Sequence, residues 1–461
     1  MKVSVSGVRG IFPNDLNLEN IIAYIRAFSY LAFNNSCVLA YDARTTGKLI
    51  SRVVSAALRC QGIDVYNLGI APTPVLVMAS RQRKDIGVMI TASHNPLNWN
   101  GIKFIINGRC VFDEELKEIL SRVNESKDIG SVMYYKNSNN EIGKEYSIHN
   151  TNYIRELIQF INDNIQNIAG GVKSSNPMVV VDTSIGTVKR YIQAIYSNLG
   201  FKYVTMIDSN EPDPTSRSLT ELKMLTSNNG IGFAFDSDAD RLVVVNQGKV
   251  LSPDDTLLLC IASLIDKASY SINYRSTTIT VSVDTSNSIR DLASSYNCKL
   301  CYAKVGESNM VKSMLNNNSI IGGEGSSAGF IMNNFNSCRD AILASLLILL
   351  INEHVDKILE EYSRYHIKRG KVSVSTDIDV NKVIDGIISK SHGDYSEYLS
   401  IDGVKFIIDE HTWVLIRGSN TEHAIRLSVE SISHERTNTL YRIYEDKIVE
   451  ACNNARREGY N

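Results

Sequence analysis

The strongest constraint on the fold is a segment used three times, at Val38-Leu39-Ala40-Tyr41-Asp42-Ala43, Val179-Val180-Val181-Asp182-Thr183-Ser184 and Val281-Ser282-Val283-Asp284-Thr285-Ser286. In each, an apolar run of strand length ends in Asp and passes into small or hydroxyl residues. Helical periodicity follows each one, over Leu49 to Leu58, Val188 to Leu199 and Ile289 to Tyr296, and a further strand such as Tyr203 to Ile207 comes next. A βαβ unit repeated in this way predicts three related α/β domains with mixed sheets. From about His366 the pattern changes to strands with two helices, Val380 to Lys390 and Asn438 to Arg457, which predicts a smaller C-terminal α+β domain. The expected units are residues 1–150, 151–250, 251–365 and 366–461, arranged around a central cleft.

Length supports this division, because hydrophobic cores stop growing near roughly 250–300 residues and the chain has 461. Boundary signals are the polar stretch Asn137 to Asn140, a helix from about Thr151 to Ile165, and Pro253-Asp254-Asp255 opening an apolar helix to Ile265. With 48 basic and 50 acidic residues the net charge is −2, which offers no global footprint for nucleic acid or an anionic membrane. The apolar run Ile342 to Ile351 is too short to span a bilayer and is expected as a buried helix. The start of the chain lacks the apolar core of a secretory signal, so a cytoplasmic protein is expected. The eight cysteines include one CxxC, Cys298 and Cys301, without a second half, and reduced thiols are expected.

Four loops carry chemistry. Thr91-Ala92-Ser93-His94-Asn95-Pro96 follows the apolar strand Ile86 to Ile90 and places a hydroxyl on a stiff turn at a strand end, where α/β proteins put their chemistry. A protease-like Ser-His pair is rejected, since adjacent side chains are expected to diverge and no carboxylate is visibly placed to orient His94. Asp236-Ser237-Asp238-Ala239-Asp240-Arg241 crowds alternate carboxylates between the strands Gly230 to Phe235 and Leu242 to Val245. Such a loop suits a divalent cation, and all-oxygen ligation favours magnesium. An EF-hand is excluded, because Arg241 and Gln247 stand where it needs Gly and Glu. Gly322-Gly323-Glu324-Gly325-Ser326-Ser327-Ala328-Gly329 offers a carboxylate and hydroxyls for vicinal sugar hydroxyls, or is simply a glycine turn between strands. Arg417-Gly418-Ser419-Asn420-Thr421-Glu422, with Arg426 beyond it, has the composition of a phosphate nest.

These four loops, with Ser6-Gly7-Val8-Arg9-Gly10 near the start and Asn100-Gly101-Ile102-Lys103-Phe104 after the first loop, resemble the α-D-phosphohexomutase superfamily in order and rough spacing, over nearly the whole chain. The resemblance implies that Ser93 carries a phosphoryl group, that Asp236, Asp238 and Asp240 hold Mg2+, and that Glu324 and Ser326 read sugar hydroxyls. It also implies that Arg417, Ser419, Asn420 and Thr421 grip the non-reacting phosphate, with Arg426 nearby. Lys103 resembles the family's acid/base. A lysine with an ordinary pKa of about 10.4 needs neighbouring cations to act as a base at neutral pH. Arg9 and Arg241 are expected to supply fixed positive charge, and His94 a phosphate or loop-shaping contact. Glu307 receives no role.

The implied reaction moves phosphate between the 1- and 6-positions of glucose or mannose phosphates. It passes through phospho-Ser93 and a hexose 1,6-bisphosphate, which is both intermediate and activator. Phosphoglucosamine mutase is the alternative, and a sugar phosphatase or a non-catalytic sugar-phosphate sensor stands behind it. Ser327-Ala328 replaces the Gly-His of many bacterial members, which leaves the sugar open; Gly418 and His423 also depart from the usual residues. The expected partner is a small hexose phosphate, with neither nucleic acid nor membrane, in a monomer or homodimer.

Overall fold

The computed structural model describes residues 1–125, 141–148, 152–165, 177–201, 204–215, 217–265, 274, 276–375, 378–391, 393, 395–419 and 423–458. The polar break expected at Asn137 to Asn140 lies outside these residues, as do Asn420 and Thr421 of the fourth loop.

The first and third units share one sheet of thirteen described strands. In the first unit, Ile86–Ile90 lies between parallel Ser36–Tyr41 and antiparallel Trp99–Ile106, and every residue of Ile86–Ile90 is buried. Gly7–Ile11 pairs antiparallel with the first half of Trp99–Ile106, which brings Arg9 opposite Gly101. In the third unit, Thr278–Ser282 lies between parallel Lys299–Ala303 and Ile321–Glu324. Ile321–Glu324 then turns back into antiparallel Gly329–Met332. A short parallel bridge between Ser337 and Arg109 joins the two halves. The second unit has its own five-stranded sheet, with Met178–Asp182 between parallel Val204–Ile207 and Gly230–Phe235, and Leu242–Asn246 antiparallel beyond.

The predicted elements therefore form as mixed α/β units, and each of the three strand-end aspartates lies at the end of a strand with neighbours on both sides. Some helices begin where a side chain satisfies a free amide. Asp340 accepts from Leu343 N ahead of Ala341–Leu350, which is the buried helix expected from the apolar run, and Ser286 caps Asn287–Ser295. One apolar core runs through the first three units, joining Val75, Val181, Leu258 and Leu346, and so crosses the boundaries expected near residues 150 and 250. Among the described residues no helix is long and apolar enough to cross a membrane. All eight cysteines are free thiols, Cys298 and Cys301 included.

The C-terminal unit is a five-stranded antiparallel sheet covered by Val380–Lys390 and His434–Glu458, the second helix starting one turn earlier than its periodicity suggested. Its core, around Phe406, Val414, Leu427 and Tyr444, is separate. It docks on the third unit through Trp413 and Leu415 against Val283. Beside that contact Glu430 is fully buried, accepting from Trp413 Nε1 at 2.5 Å, Ser286 Oγ at 2.5 Å and Asn287 N at 2.9 Å. Lys405 Nζ donates to Val283 O at 2.8 Å and lies 4.1 Å from the Trp413 ring.

Burial pushes the Glu430 carboxyl from 4.5 up to about 7, against hydrogen bonds from Ser286 and Asn287 and the charge of Lys405. The folded protein thus holds this proton more tightly than the unfolded chain. That contribution is complete below about pH 4.5 and is lost as pH rises through about 7. Burial pulls Lys405 from 10.5 down to about 8, so its contribution is present above 10.5 and lost as pH falls through about 8. Urea unfolding of the C-terminal unit, followed by Trp413 fluorescence, should show falling stability between about pH 5 and 7. Glu430→Gln should flatten that slope, and an unchanged slope would assign it to other groups.

Candidate active site

The site is assembled from the ends of strands in three units. Ser93 sits just past Ile86–Ile90 in the left-handed region, at φ 50°. Its Oγ donates to Asp236 Oδ2 at 2.7 Å, and its N–H donates to Thr91 Oγ1 at 2.8 Å. The first and second sequence-predicted loops therefore meet, although they are 143 residues apart.

Asp236, Asp238 and Asp240 are buried, with one carboxylate oxygen of each lying within 4.8 Å of the others. Lys103 Nζ donates to Asp238 Oδ2 at 2.6 Å and Asp240 Oδ2 at 2.7 Å, while Thr73 Oγ1 donates to Asp238 Oδ2 at 2.5 Å. Asp238 Oδ1 and Asp240 Oδ1 are buried without a hydrogen-bond partner. Burial, then the charges of Asp240 and Asp238, push Asp236 well above the usual carboxylate range. Asp240 is held well below it, because Arg339, Lys103 and Arg241 outweigh its burial. Three clustered carboxylates with orphaned oxygens fit a hard divalent cation, and the donor set is all oxygen.

The cluster changes the expectation for Lys103. Burial acts to lower its pKa, but Asp238 and Asp240 more than reverse this and raise it above the ordinary lysine value. Its nearest partners are carboxylates rather than the cations a base would need, so Lys103 in this arrangement is a charged donor. His94 also departs from expectation. Its Nδ1 lies 3.4 Å from Ser93 Oγ, because the left-handed turn at Ser93 brings neighbouring side chains to the same side. Burial, with Arg241 and Arg9 close by, pulls the ring down to about 3, so it is neutral near pH 7.

Arg9 NH1 donates to Ala92 O at 3.4 Å, and burial draws the Arg9 pKa below the ordinary guanidinium value against the pull of Asp238 and Asp240. Arg241 Nε stands 3.9 Å from Asp240 Oδ1. Glu324 is buried, taking Gly306 N on one oxygen at 2.6 Å and Arg339 NH1 on the other at 3.2 Å. Ser326 hydrogen-bonds Asp284. The fourth loop is carried by the C-terminal sheet. Ser419 N donates to Ala424 O at 2.9 Å, and Arg417 NH1 lies 3.8 Å from Asp402. Ser419, Lys304, Asn381, Asp402 and His423 are among the residues lining a cavity of about 400 Å³. Arg426 pairs across strands with both Arg417 and Lys371, giving a lateral row of three cations.

Three residues escaped the sequence reading. Arg339 donates to Asp240 Oδ2 at 2.7 Å and to Glu324, tying the carboxylate loop to the glycine loop. Its backbone N–H donates to Glu307 at 2.9 Å, and burial raises the Glu307 pKa despite Arg339 and Lys103. Thr73 and Arg44 are the other two. An Arg-Asp pair directly before an apolar helix, and an Arg two residues after a strand-end Asp, were the available signals.

Residues 1–129 match the family model for phosphoglucomutase/phosphomannomutase, alpha/beta/alpha domain I, and residues 252–395 match that for domain III. A probable phosphoglucosamine mutase of Methanosphaera stadtmanae is 30% identical over 458 residues, covering 95% of this chain and 96% of the relative. The chain belongs to the α-D-phosphohexomutase superfamily. A Thermococcus kodakarensis phosphoglucomutase/phosphomannomutase is 28% identical, covering 93% of this chain and 94% of its own. Among solved structures, a phosphoglucomutase/phosphomannomutase family protein of Burkholderia thailandensis matches with a TM-score of 0.78 at 19% identity, over 97% of this chain and 98% of that one. As a phosphohexomutase the chain is an isomerase of carbohydrate metabolism.

Cation binding at the carboxylates can be read without turnover. Millimolar Mg2+ at about a hundred times its Kd should add roughly 2.7 kcal/mol of stability and raise the thermal midpoint. Asp240→Asn should abolish the rise, and a rise of equal size in that variant would place the ion elsewhere.

Proposed function

We propose that the protein moves a phosphoryl group between the 1- and 6-positions of a hexose phosphate through a phosphoserine at Ser93, with glucosamine phosphate as its preferred sugar. The observation that carries this reading is the 2.7 Å contact of Ser93 Oγ with Asp236 inside a buried carboxylate cluster. A carrier on that oxygen would lie beside Asp236, Asp238 and Asp240, which would hold the magnesium ion. When bound, that ion would supply charge neutralisation at the transferring phosphoryl oxygens.

In transfer to the sugar, the Ser93 Oγ–phosphorus bond breaks as the sugar hydroxyl oxygen bonds to phosphorus. The hydroxyl gives up one proton and Oγ takes up one, so the half-reaction is balanced. Lys103 and Arg9 contribute positive charge. His94, neutral beside Oγ, can exchange a hydrogen bond with it without adding charge. Burial of Ser93 and the carboxylates keeps water from the phosphoryl group and favours transfer over hydrolysis. This favours a mutase over a phosphatase.

After reorientation, the bisphosphate returns its other phosphate to Ser93. The phosphate not reacting needs a fixed seat, which we assign to Arg417, Ser419, Asn420, Thr421 and Arg426. Like charges directly across strands destabilise a sheet, and the row Lys371, Arg426 and Arg417 is suited to sharing an anion. Glu324 and Ser326 would read the sugar hydroxyls, with Arg241 at the rim. The preference for glucosamine rests on the names of relatives such as that of Methanosphaera stadtmanae; the Thermococcus kodakarensis relative supports glucose and mannose as the second reading.

Ser93→Ala should lose nearly all mutase activity, and full activity in that variant would remove the phosphoserine. With Mg2+ and the matching bisphosphate, kcat/KM on glucosamine 1-phosphate should exceed that on glucose 1-phosphate and mannose 1-phosphate by about tenfold or more. The reverse order would return the assignment to glucose and mannose. Inorganic phosphate appearing in place of the 6-phosphate would indicate a phosphatase.

A further inference from the structure

We propose that Arg44, which lies in none of the four loops, is the positioning residue that holds Ser93 in its reactive conformation. The proposal rests on the reading of Ser93 as phosphoryl carrier. The Arg44 side chain is completely buried. Its Nε donates to Asp42 Oδ2 at 3.1 Å. NH2 donates to Ser93 O at 2.6 Å and Asn95 O at 2.7 Å, with a longer contact of 3.4 Å to Ser237 Oγ in the carboxylate loop. NH1 donates to Pro96 O at 2.6 Å and Trp99 O at 3.2 Å. One guanidinium thus gathers four carbonyls of the Ser93 turn.

The same Asp42 Oδ2 accepts from Thr91 Oγ1 at 2.6 Å, and Thr91 Oγ1 accepts from Ser93 N. Both backbone groups of Ser93 are therefore tied to one carboxylate, the N–H through Thr91 and the C=O through Arg44. That closed circuit brackets a residue at φ 50°, a region serine rarely adopts unless its surroundings fix it. Rotation of φ to the ordinary negative region would swing Cβ and carry Oγ away from Asp236. Only a planar fork with five donors can serve carbonyls in several directions at once; a lysine has three donors at a single point.

A merely structural arginine would affect how much protein folds, whereas a positioning arginine affects what the folded protein does. Arg44→Lys, Arg44→Met and the isosteric Asp42→Asn would be compared with wild type and Ser93→Ala, with rates normalised to folded protein by circular dichroism. Two quantities are read: steady-state kcat and KM, and the rate at which dephosphorylated enzyme gains a phosphoryl group from hexose 1,6-bisphosphate, followed by intact mass. A displacement of about 1 Å can cost about a hundredfold. Both Arg44 variants should lose about that factor in kcat and in phosphorylation rate, with KM changed less than about threefold. Asp42→Asn should lose about tenfold and provides the reading if Arg44→Met does not fold. The proposal is overturned if Arg44→Lys and Asp42→Asn keep kcat and phosphorylation rate within about threefold of wild type, or if KM alone rises. Wild-type activity in Ser93→Ala would instead overturn the carrier reading, so the two failures are told apart.

Discussion

The arrangement depends on a set of buried charges that no single unit can satisfy. Lys103 comes from the first unit, Asp238 and Asp240 from the second, and Arg339, Glu324 and Glu307 from the third. Each charge pays for leaving water only because its partner arrives from elsewhere in the chain. Docking of the first three units and assembly of the site are thus one event. The continuous apolar core and the sheet shared by the first and third units supply the rigidity that keeps these distances short. The C-terminal unit stands outside this frame, with its own core and a smaller contact around Trp413.

Two carboxylates of the cluster have strongly opposed ionisation, though they lie four residues apart on one loop. Asp240 is surrounded by Arg339, Lys103 and Arg241, while Asp236 meets Ser93 and the other carboxylates. Arg339, Lys103 and Arg241 stabilise Asp240 as a carboxylate, whereas at Asp236 burial and the neighbouring carboxylates outweigh Arg241 and the Ser93 hydrogen bond. That asymmetry makes Asp236 the member of the cluster whose ionised form is least supported by the protein's own cations. It also explains why Lys103 is charged here: the lysine partly does, for Asp238 and Asp240, what a cation would do.

The fold and the loops were legible in sequence because both rest on local signals. Apolar runs ending in Asp read as strands, and Asp236, Asp238 and Asp240 alternate within one hexapeptide that only a strand-end loop could carry. The glycine-rich turn at Glu324 and the strand end at Ser419 were marked in the same way. Arg339 and Arg44 were harder to read, because their partners lie across long intervals of sequence and the local signals, an Arg-Asp pair before a helix and an Arg just after a strand-end Asp, do not say what each arginine meets. Arg339 meets Asp240 across 99 residues, and Arg44 meets Asn95 across 51. The partners of Lys103 were not legible for the same reason: they are carboxylates 135 and 137 residues away. The expectation that the Ser93 and His94 side chains diverge fails where Ser93 turns left-handed.

The threefold repeat acquires a physical meaning at its aspartates. Asp42 fixes Arg44, which holds the Ser93 turn. Asp182 pairs with Arg217 at 3.0 Å, and Arg217 NH2 donates to Phe235 O at 3.0 Å, the carbonyl directly before the carboxylate loop. In the third unit Arg369 donates to Asp284 O at 2.8 Å and pairs with Asp254 at 2.8 Å. The three arginines come from different places: two residues after the Asp, within the same unit, and from the C-terminal sheet. A strand that ends at a functional loop leaves carbonyls without ladder partners, and a buried arginine is the side chain with enough donors to satisfy several of them. In the first two units the strand-end aspartate is what allows that arginine to be buried. In the third, Arg369 is partly exposed, takes its ion pair from Asp254 and meets Asp284 through the backbone carbonyl, so the carboxylate recurs at the strand end while its use differs between units.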